Sequence, residues 1–300
     1  MELSEFCSVQ SQQIAQEIIG TAPGKTTAWL FLEYTGNWSA RSVDHNTLPT
    51  EVNDWLNQQA AQLSPSRVVF IKKSSEKPAV LNFYLALTGE KEQQLFHFPV
   101  DTYSQLFDLD LSQVATDPAA FSRYLSEETL YLVCTNSKRD QCCAKFGLPI
   151  FQAMNQMGGV SAWQCTHLGG HRYAPVVGVY PAGLYYRVMT PEDGAELVAS
   201  VGRGEIRLHG FRGRNCYSEP VQAADYFLRQ QTSAVQLNQY RVESAEQVAD
   251  NWVVVFRDTA DQTTHTITLQ ASSTEPLMTS CGVKIRMKPQ PKYQFVSYQS

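Results

Sequence analysis

Between residues 134 and 171 this chain places four of its seven cysteines (Cys134, Cys142, Cys143 and Cys165) and two of its six histidines (His167 and His171). Thiols and imidazoles gathered in so short a segment point to a metal site. The other cysteines, Cys7, Cys216 and Cys281, lie outside it. An odd cysteine count over 300 residues does not suggest a disulfide framework.

The bulk numbers narrow the class. Hydrophobic residues make up 43% and charged residues 18% of the chain, ordinary globular values with ample apolar material for a core. Its length suits about two domains. The net charge is −5 and no lysine- or arginine-rich run occurs, so a nucleic-acid partner is not expected. No apolar run approaches the roughly 18 residues a membrane helix needs. The start, MELSEFCSVQSQQ, shows no secretory pattern. A soluble, cytoplasmic protein with no membrane partner is the expectation.

Periodicity predicts an α/β (α+β) chain. Residues 1–125 read as an N-terminal α/β domain: helical spacing over 9–19 and 51–63, and strands at 27–34, 67–73, 80–87 and 94–100. A second unit, 126–235, opens with the strand TLYLVC (129–134) and a polar loop. Helical spacing over 144–157 follows, with Pro149 as a candidate helix start. Strand SAWQCTH (161–167) comes next, and then a hairpin turning at Pro181-Ala182-Gly183. Thr190-Pro191-Glu192-Asp193 and Ser218-Glu219-Pro220 are helix starts. A β-α-β start followed by a hairpin and a helix is thioredoxin-like topology. Residues 236–300 read as a β-rich C-terminal extension, with strands WVVVFRD, THTITLQ, VKIRMK and YQFVSY. No sequence repeat is visible.

Two ligand pairs stand out. Cys134-x8-Cys143 spans the loop after one strand, and His167-Leu-Gly-Gly-His171 follows another. Iron–sulfur clusters are held by thiolates, and in Rieske centres two histidines replace two thiolates on one iron. Two pairs on two loops meet the need of a two-iron cluster, and Gly169 and Gly170 let the backbone bend tightly. The stretches CTNSKRDQCCAKFG, HLGGHRYAP, YPAGLYYRV and HGFRGRNCYSEPVQAADYFLR resemble the sucrase/ferredoxin-like family of thioredoxin-like ferredoxins. The likeness is strongest over residues 129–230 and reaches weakly to SEFCSVQSQQ and WLFLEYTGNW. It implies a [2Fe-2S] cluster with Cys134 and Cys143 on one iron and His167 and His171 on the other. Asn136-Ser137 and Ala144 depart from the His-Gly and Gly of many relatives. His171 is kept, as in fungal members.

Other readings stand beside this one. A two-cysteine, two-histidine set also suits zinc, although a gap of eight is wide for a zinc finger. Cys142 is an alternative to Cys143. Cys165 reads better as a small buried hydrophobe. Cys7 and Cys281 are remote from the motif and read as structural or incidental. The glycine- and arginine-rich stretch His209–Cys216 reads as a turn beneath the cluster domain, against a docking surface formed by Arg212 and Arg214. No GxGxxG, P-loop or GxSxG supports a self-contained enzyme, and no paired carboxylates support glycoside hydrolysis.

The expected function is electron transfer or redox sensing with unidentified donor and acceptor proteins or small molecules. The alternatives are a zinc-stabilised interaction module, or a reductase component with a small-molecule site in the N-terminal domain. Two ferric ions, two sulfides and two thiolates cancel in charge, so such a cluster accepts an electron readily. Its potential should lie above the roughly −400 mV of plant-type ferredoxins. Where the outer imidazole nitrogens reach water, the potential should depend on pH. Redox titration checks this: a potential flat between about pH 6 and 9 would count against histidine ligands open to solvent.

Overall fold

The computed structural model describes residues 2–12, 18–281 and 287–300. Helix α1 (Cys7–Gln12) precedes β1 (Ala28–Glu33), α2 (Thr50–Gln62), β2 (Ser66–Lys72), β3 (Leu81–Thr88), β4 (Gln93–Val100), α3 (Leu111–Thr116) and the short β5 (Leu125–Ser126). Next come β6 (Leu130–Cys134), α4 (Gln141–Asn155), β7 (Ser161–Cys165), β8 (Val176–Tyr180), β9 (Leu184–Arg187), α5 (Pro191–Gly202), β10 (Phe211–Arg214) and α6 (Glu219–Thr232). Six strands close the chain: β11 (Tyr240–Val248), β12 (Asn251–Asp258), β13 (Thr264–Ser273), β14 (Leu277–Met278), β15 (Met287–Lys288) and β16 (Pro291–Gln299).

The fold is mixed α/β. Among the described residues, ten strands form one sheet in the order β10-β9-β8-β6-β7-β2-β1-β3-β4-β5. In its first half β1 is parallel to β2, β3 antiparallel to β1, and β4 antiparallel to β3. In its second half β6 is parallel to β7, β8 antiparallel to β6, and β9 antiparallel to β8. The same β-α-β-plus-hairpin plan thus occurs twice. The halves join edge to edge through β2 and β7, which pair Ile71 with Cys165 and Lys72 with Gln164.

Strand alternation sorts the core onto the two faces. On β6, Leu130, Leu132 and Cys134 pack with Trp29, Phe31, Trp163 and Tyr180. Tyr131 and Val133 face the other way, against Ile150, Phe151 and Met154 of α4 and Leu197 of α5. In the first half Leu30 and Leu32 pack against Val52, Trp55 and Leu56 of α2. Central strands buried on both faces need such continuous apolar runs.

Several local outcomes refine the sequence reading. Helix α4 begins at Gln141, not near Pro149: the Asp140 side chain accepts from the Cys142 amide and caps it. Pro149 lies inside the helix. It and Lys145, whose carbonyl loses its i+4 donor there, are both exposed, so water can serve the missing rung. The loop expected before α6 contains β10, which pairs with β9 at the end of the sheet. At α5 the expected helix start is present, and Thr190 and Asp193 cap it reciprocally. The helix expected over 9–19 is seen as α1, and residues 13–17 lie outside the described residues. Of the expected strand VKIRMK, 283–286 also lie outside them, and Met287–Lys288 pairs with β14.

The C-terminal strands β11-β12-β13-β16 form a separate antiparallel sheet. Its apolar side, with Val254, Phe256, Ile267 and Leu269, packs with Ala224 and Leu228 of α6. Within α6 a fully buried ion pair joins Arg229 Nε to Asp225 Oδ1 at 2.9 Å, and Arg229 Nη1 donates to the Gln236 carbonyl at 2.9 Å. This pair fastens the chain as it leaves the helix for the C-terminal sheet. Asp225→Ala leaves the guanidinium buried without its counter-charge, and removal of one partner of such a pair costs about 3–5 kcal/mol. Urea unfolding should show a loss of that size.

Candidate metal centre

Strand β6 ends on Cys134, buried in the centre of the sheet. Asn136 shapes the loop that follows. Its Oδ1 accepts from the Lys138 and Arg139 amides, and its Nδ2 donates to the Ser39 carbonyl at 2.9 Å. Asp140 then caps α4, whose first turn carries Cys142 and Cys143. Neighbouring helical residues point about 100° apart, so these two thiols leave the helix in different directions. Gly147 keeps α4 close to the sheet: a Cβ there would collide with the Cys134 carbonyl oxygen.

Strand β7 lies parallel to β6, with Cys165 beside Cys134. The loop after it turns through Gly169 and Gly170, both with positive φ. Two arginines hold this loop by its carbonyls. Arg67 donates to Leu168 at 3.3 Å, and Arg212 donates to Gly169 at 3.4 Å and also to the Thr21 carbonyl. Arg212 and Arg214 are 1% and 0% exposed, which rules out the docking-surface reading of these residues. Arg212 is a buried clamp on the histidine loop, its guanidinium 4.6 Å from the Tyr173 ring centre.

Of the four expected ligands, Cys134, Cys143 and His167 come together, with ligand atoms all within 4.8 Å of one another. His171 lies outside that group. Its ring centre is 5.2 Å from that of His167, and its Nε2 meets the Thr279 carbonyl and stands 3.6 Å from Asp140 Oδ2. The Nδ1 atoms of both histidines are buried and have no hydrogen-bond partner. The neighbouring Cys143 thiol holds the Cys134 pKa well below the usual thiol range, aided by His167 and against the effect of burial. Cys143, by the same contact, is pushed up. Burial lowers the pKa of His171, with Asp140 opposing. Cys165 is fully buried in the core, and burial raises its pKa.

Cys142 faces a second group. Its Sγ lies 3.5 Å from that of Cys7 and 3.2 Å from that of Cys281, partners 135 and 139 residues away in sequence. Asp140 completes a set whose ligand atoms all lie within 4.8 Å of one another. The expectation that Cys7 and Cys281 are remote from the motif is therefore corrected. Beyond the odd thiol count, nothing in the sequence pattern points to this grouping. Hydrogen bonding with the Cys7 thiol, together with Ser8 Oγ donating to Cys142, brings the Cys142 pKa down to about 7. Cys7 is pushed up by the same hydrogen bond, and Cys281 to about 12 by burial.

A cavity of about 480 Å³ opens beside His171. Arg139, Arg172, Tyr173, Thr279 and Lys288 are among its lining residues. No helix among the described residues is long and apolar enough to cross a membrane.

Comparisons with known proteins set these groups in context. Altered inheritance of mitochondria protein 32 from Candida glabrata is 27% identical over 115 residues, which cover 33% of this chain and 37% of that protein. The chain thus matches little more than a third of that relative's length. No solved structure matches the chain. The family model described as sucrase/ferredoxin-like matches residues 18–213, which span both halves of the large sheet and more than half of the sequence, and the chain belongs to that family.

Proposed function

We propose that Cys134, Cys143, His167 and His171 hold a [2Fe-2S] cluster, and that the protein acts in electron transfer or redox sensing. The observation that carries this reading is the gathering of Cys134, Cys143 and His167 ligand atoms within 4.8 Å of one another, next to a histidine loop whose two Nδ1 atoms are buried without hydrogen-bond partners. More than about 90% of buried polar groups find a hydrogen-bond partner, so two orphaned imidazole nitrogens on one loop beside a thiol pair support metal ligation there. With a two-thiolate, two-imidazole set, such a cluster exchanges one electron at a potential nearer the Rieske range of about −150 to +300 mV than to plant-type ferredoxins.

The chain's own residues define the setting. Arg67 and Arg212 fix the histidine loop by its carbonyls. The Thr279 carbonyl meets Nε2 of His171, with Asp140 Oδ2 3.6 Å away, and Nδ1, buried without a hydrogen-bond partner, is the nitrogen left to ligate. Partners of this kind orient a metal-bound imidazole. The cavity beside His171, with Arg139 and Lys288 on its wall, is the approach for a donor or acceptor to the histidine end.

Anaerobically purified protein should be coloured, with about two irons and two acid-labile sulfides per chain, and its reduced form should give an EPR signal of low average g. Cys134→Ser and His171→Ala should each lose most of the iron, whereas Cys142→Ser should keep it. Colourless, iron-free protein would sink the proposal, and zinc at Cys134 and Cys143 in place of iron would instead favour a zinc-stabilised module. Gly147→Ala forces α4 away from Cys134. It should lower stability by about 1–3 kcal/mol, read by thermal unfolding, and it should reduce iron content in parallel.

A further inference from the structure

We propose that Cys7, Cys142 and Cys281, with Asp140 as the fourth ligand, form a second metal site that takes a single thiophilic divalent ion of the zinc type. The site is separate from the proposed cluster and does not depend on it. Its three thiols come from α1, from the first turn of α4, and from the segment after β14. Cys7 and Cys142 are fully buried and Cys281 is nearly so.

The spacing suits one tetrahedral ion. Zinc–sulfur bonds of about 2.3 Å set sulfurs roughly 3.8 Å apart in a tetrahedron. The separations from Cys142 to Cys7 and to Cys281 are 3.5 and 3.2 Å. A disulfide would consume two of the three thiols and leave the third buried alone, whereas a metal uses all three.

The surroundings are those of thiolates. Ser8 Oγ donates to Cys142 Sγ at 3.2 Å, and the Cys7 amide points at Cys281 Sγ at 2.9 Å. Donors aimed at sulfur stabilise its charged form. Asp140 is held by the Cys142 amide on Oδ1 and by the Cys281 amide and Ser280 Oγ on Oδ2. Oδ2 is the crowded oxygen, with His171 Nε2 also 3.6 Å away, whereas Oδ1 accepts from the Cys142 amide and keeps its second lone pair for a metal. The positive end of α4 and Arg187, bonded to the Ser8 carbonyl at 2.6 Å, offset the negative charge of the ligands.

Bound there, the ion would tie both ends of the described chain to the helix that carries Cys143. Asp140 would serve as ligand on one side and as a partner of His171 on the other.

The test uses the full chain, produced with both iron and zinc available and purified anaerobically under reducing conditions. Wild-type protein should carry about one zinc, and zinc K-edge absorption should show three sulfurs near 2.3 Å and one oxygen at about 2.0–2.2 Å. Cys7→Ser/Cys281→Ser should lose the zinc at least about tenfold and keep the iron, while Cys134→Ser should keep the zinc and lose iron. Because the two metals are counted separately, failure of the zinc site and failure of the cluster reading are distinguishable. If the double variant does not fold, the wild-type absorption spectrum decides alone. Zinc-free wild-type protein after reconstitution, zinc unaffected by the double variant, or zinc bound by fewer than three sulfurs would each overturn the proposal.

Discussion

The parallel pairing of β6 with β7 is the constraint on which both side-chain groups depend. It sets Cys134 beside Cys165 and sends the loops after the two strands out of the same end of the sheet. In open α/β sheets this carboxyl end is where ligands bind, because loops there can converge while the strands stay rigid. One loop delivers Cys142 and Cys143, the other His167 and His171. The arginine clamps on the second loop originate in β2 and β10, so the sheet positions the loop backbone as well as the thiols and imidazoles.

Asp140 links the two groups. As the cap of α4 it orients the turn that carries both thiols, and one cap therefore sets the direction of two side chains at once. Its other oxygen meets the Cys281 amide and lies near His171. A change at this residue would disturb the helix start, the C-terminal segment and the histidine loop together. Buried groups that share one partner couple in this way, and their substitutions do not add.

The two halves of the large sheet repeat one strand plan without a visible sequence repeat. Each half needs apolar strands, one helix and a hairpin, and many sequences satisfy those demands. Only the second half carries the clustered thiols and imidazoles, at the ends of its first two strands. The first half supplies Arg67 and the edge strand β2 that supports β7.

Residue pattern was enough to place most strands and helices, the hairpin at Pro181-Ala182-Gly183, the α5 cap and the mixed α/β class, because these follow from short-range periodicity and turn chemistry. The approach of Cys134, Cys143 and His167 to one another was suggested by their closeness in sequence, whereas His171, expected with them, lies outside that group and meets Thr279 instead. Long-range contacts were not legible. Cys7 and Cys281 meet Cys142 across more than a hundred residues, and the carbonyl partners of Arg212, expected in a turn beneath the cluster domain, could not be read from the pattern. The direction in which Cys142 and Cys143 part was open in the sequence as well, since it depends on where α4 starts. Apolar spacing placed the helix over 144–157 with Pro149 as a candidate start, and the Asp140 cap, packed against the C-terminal segment, sets it at Gln141.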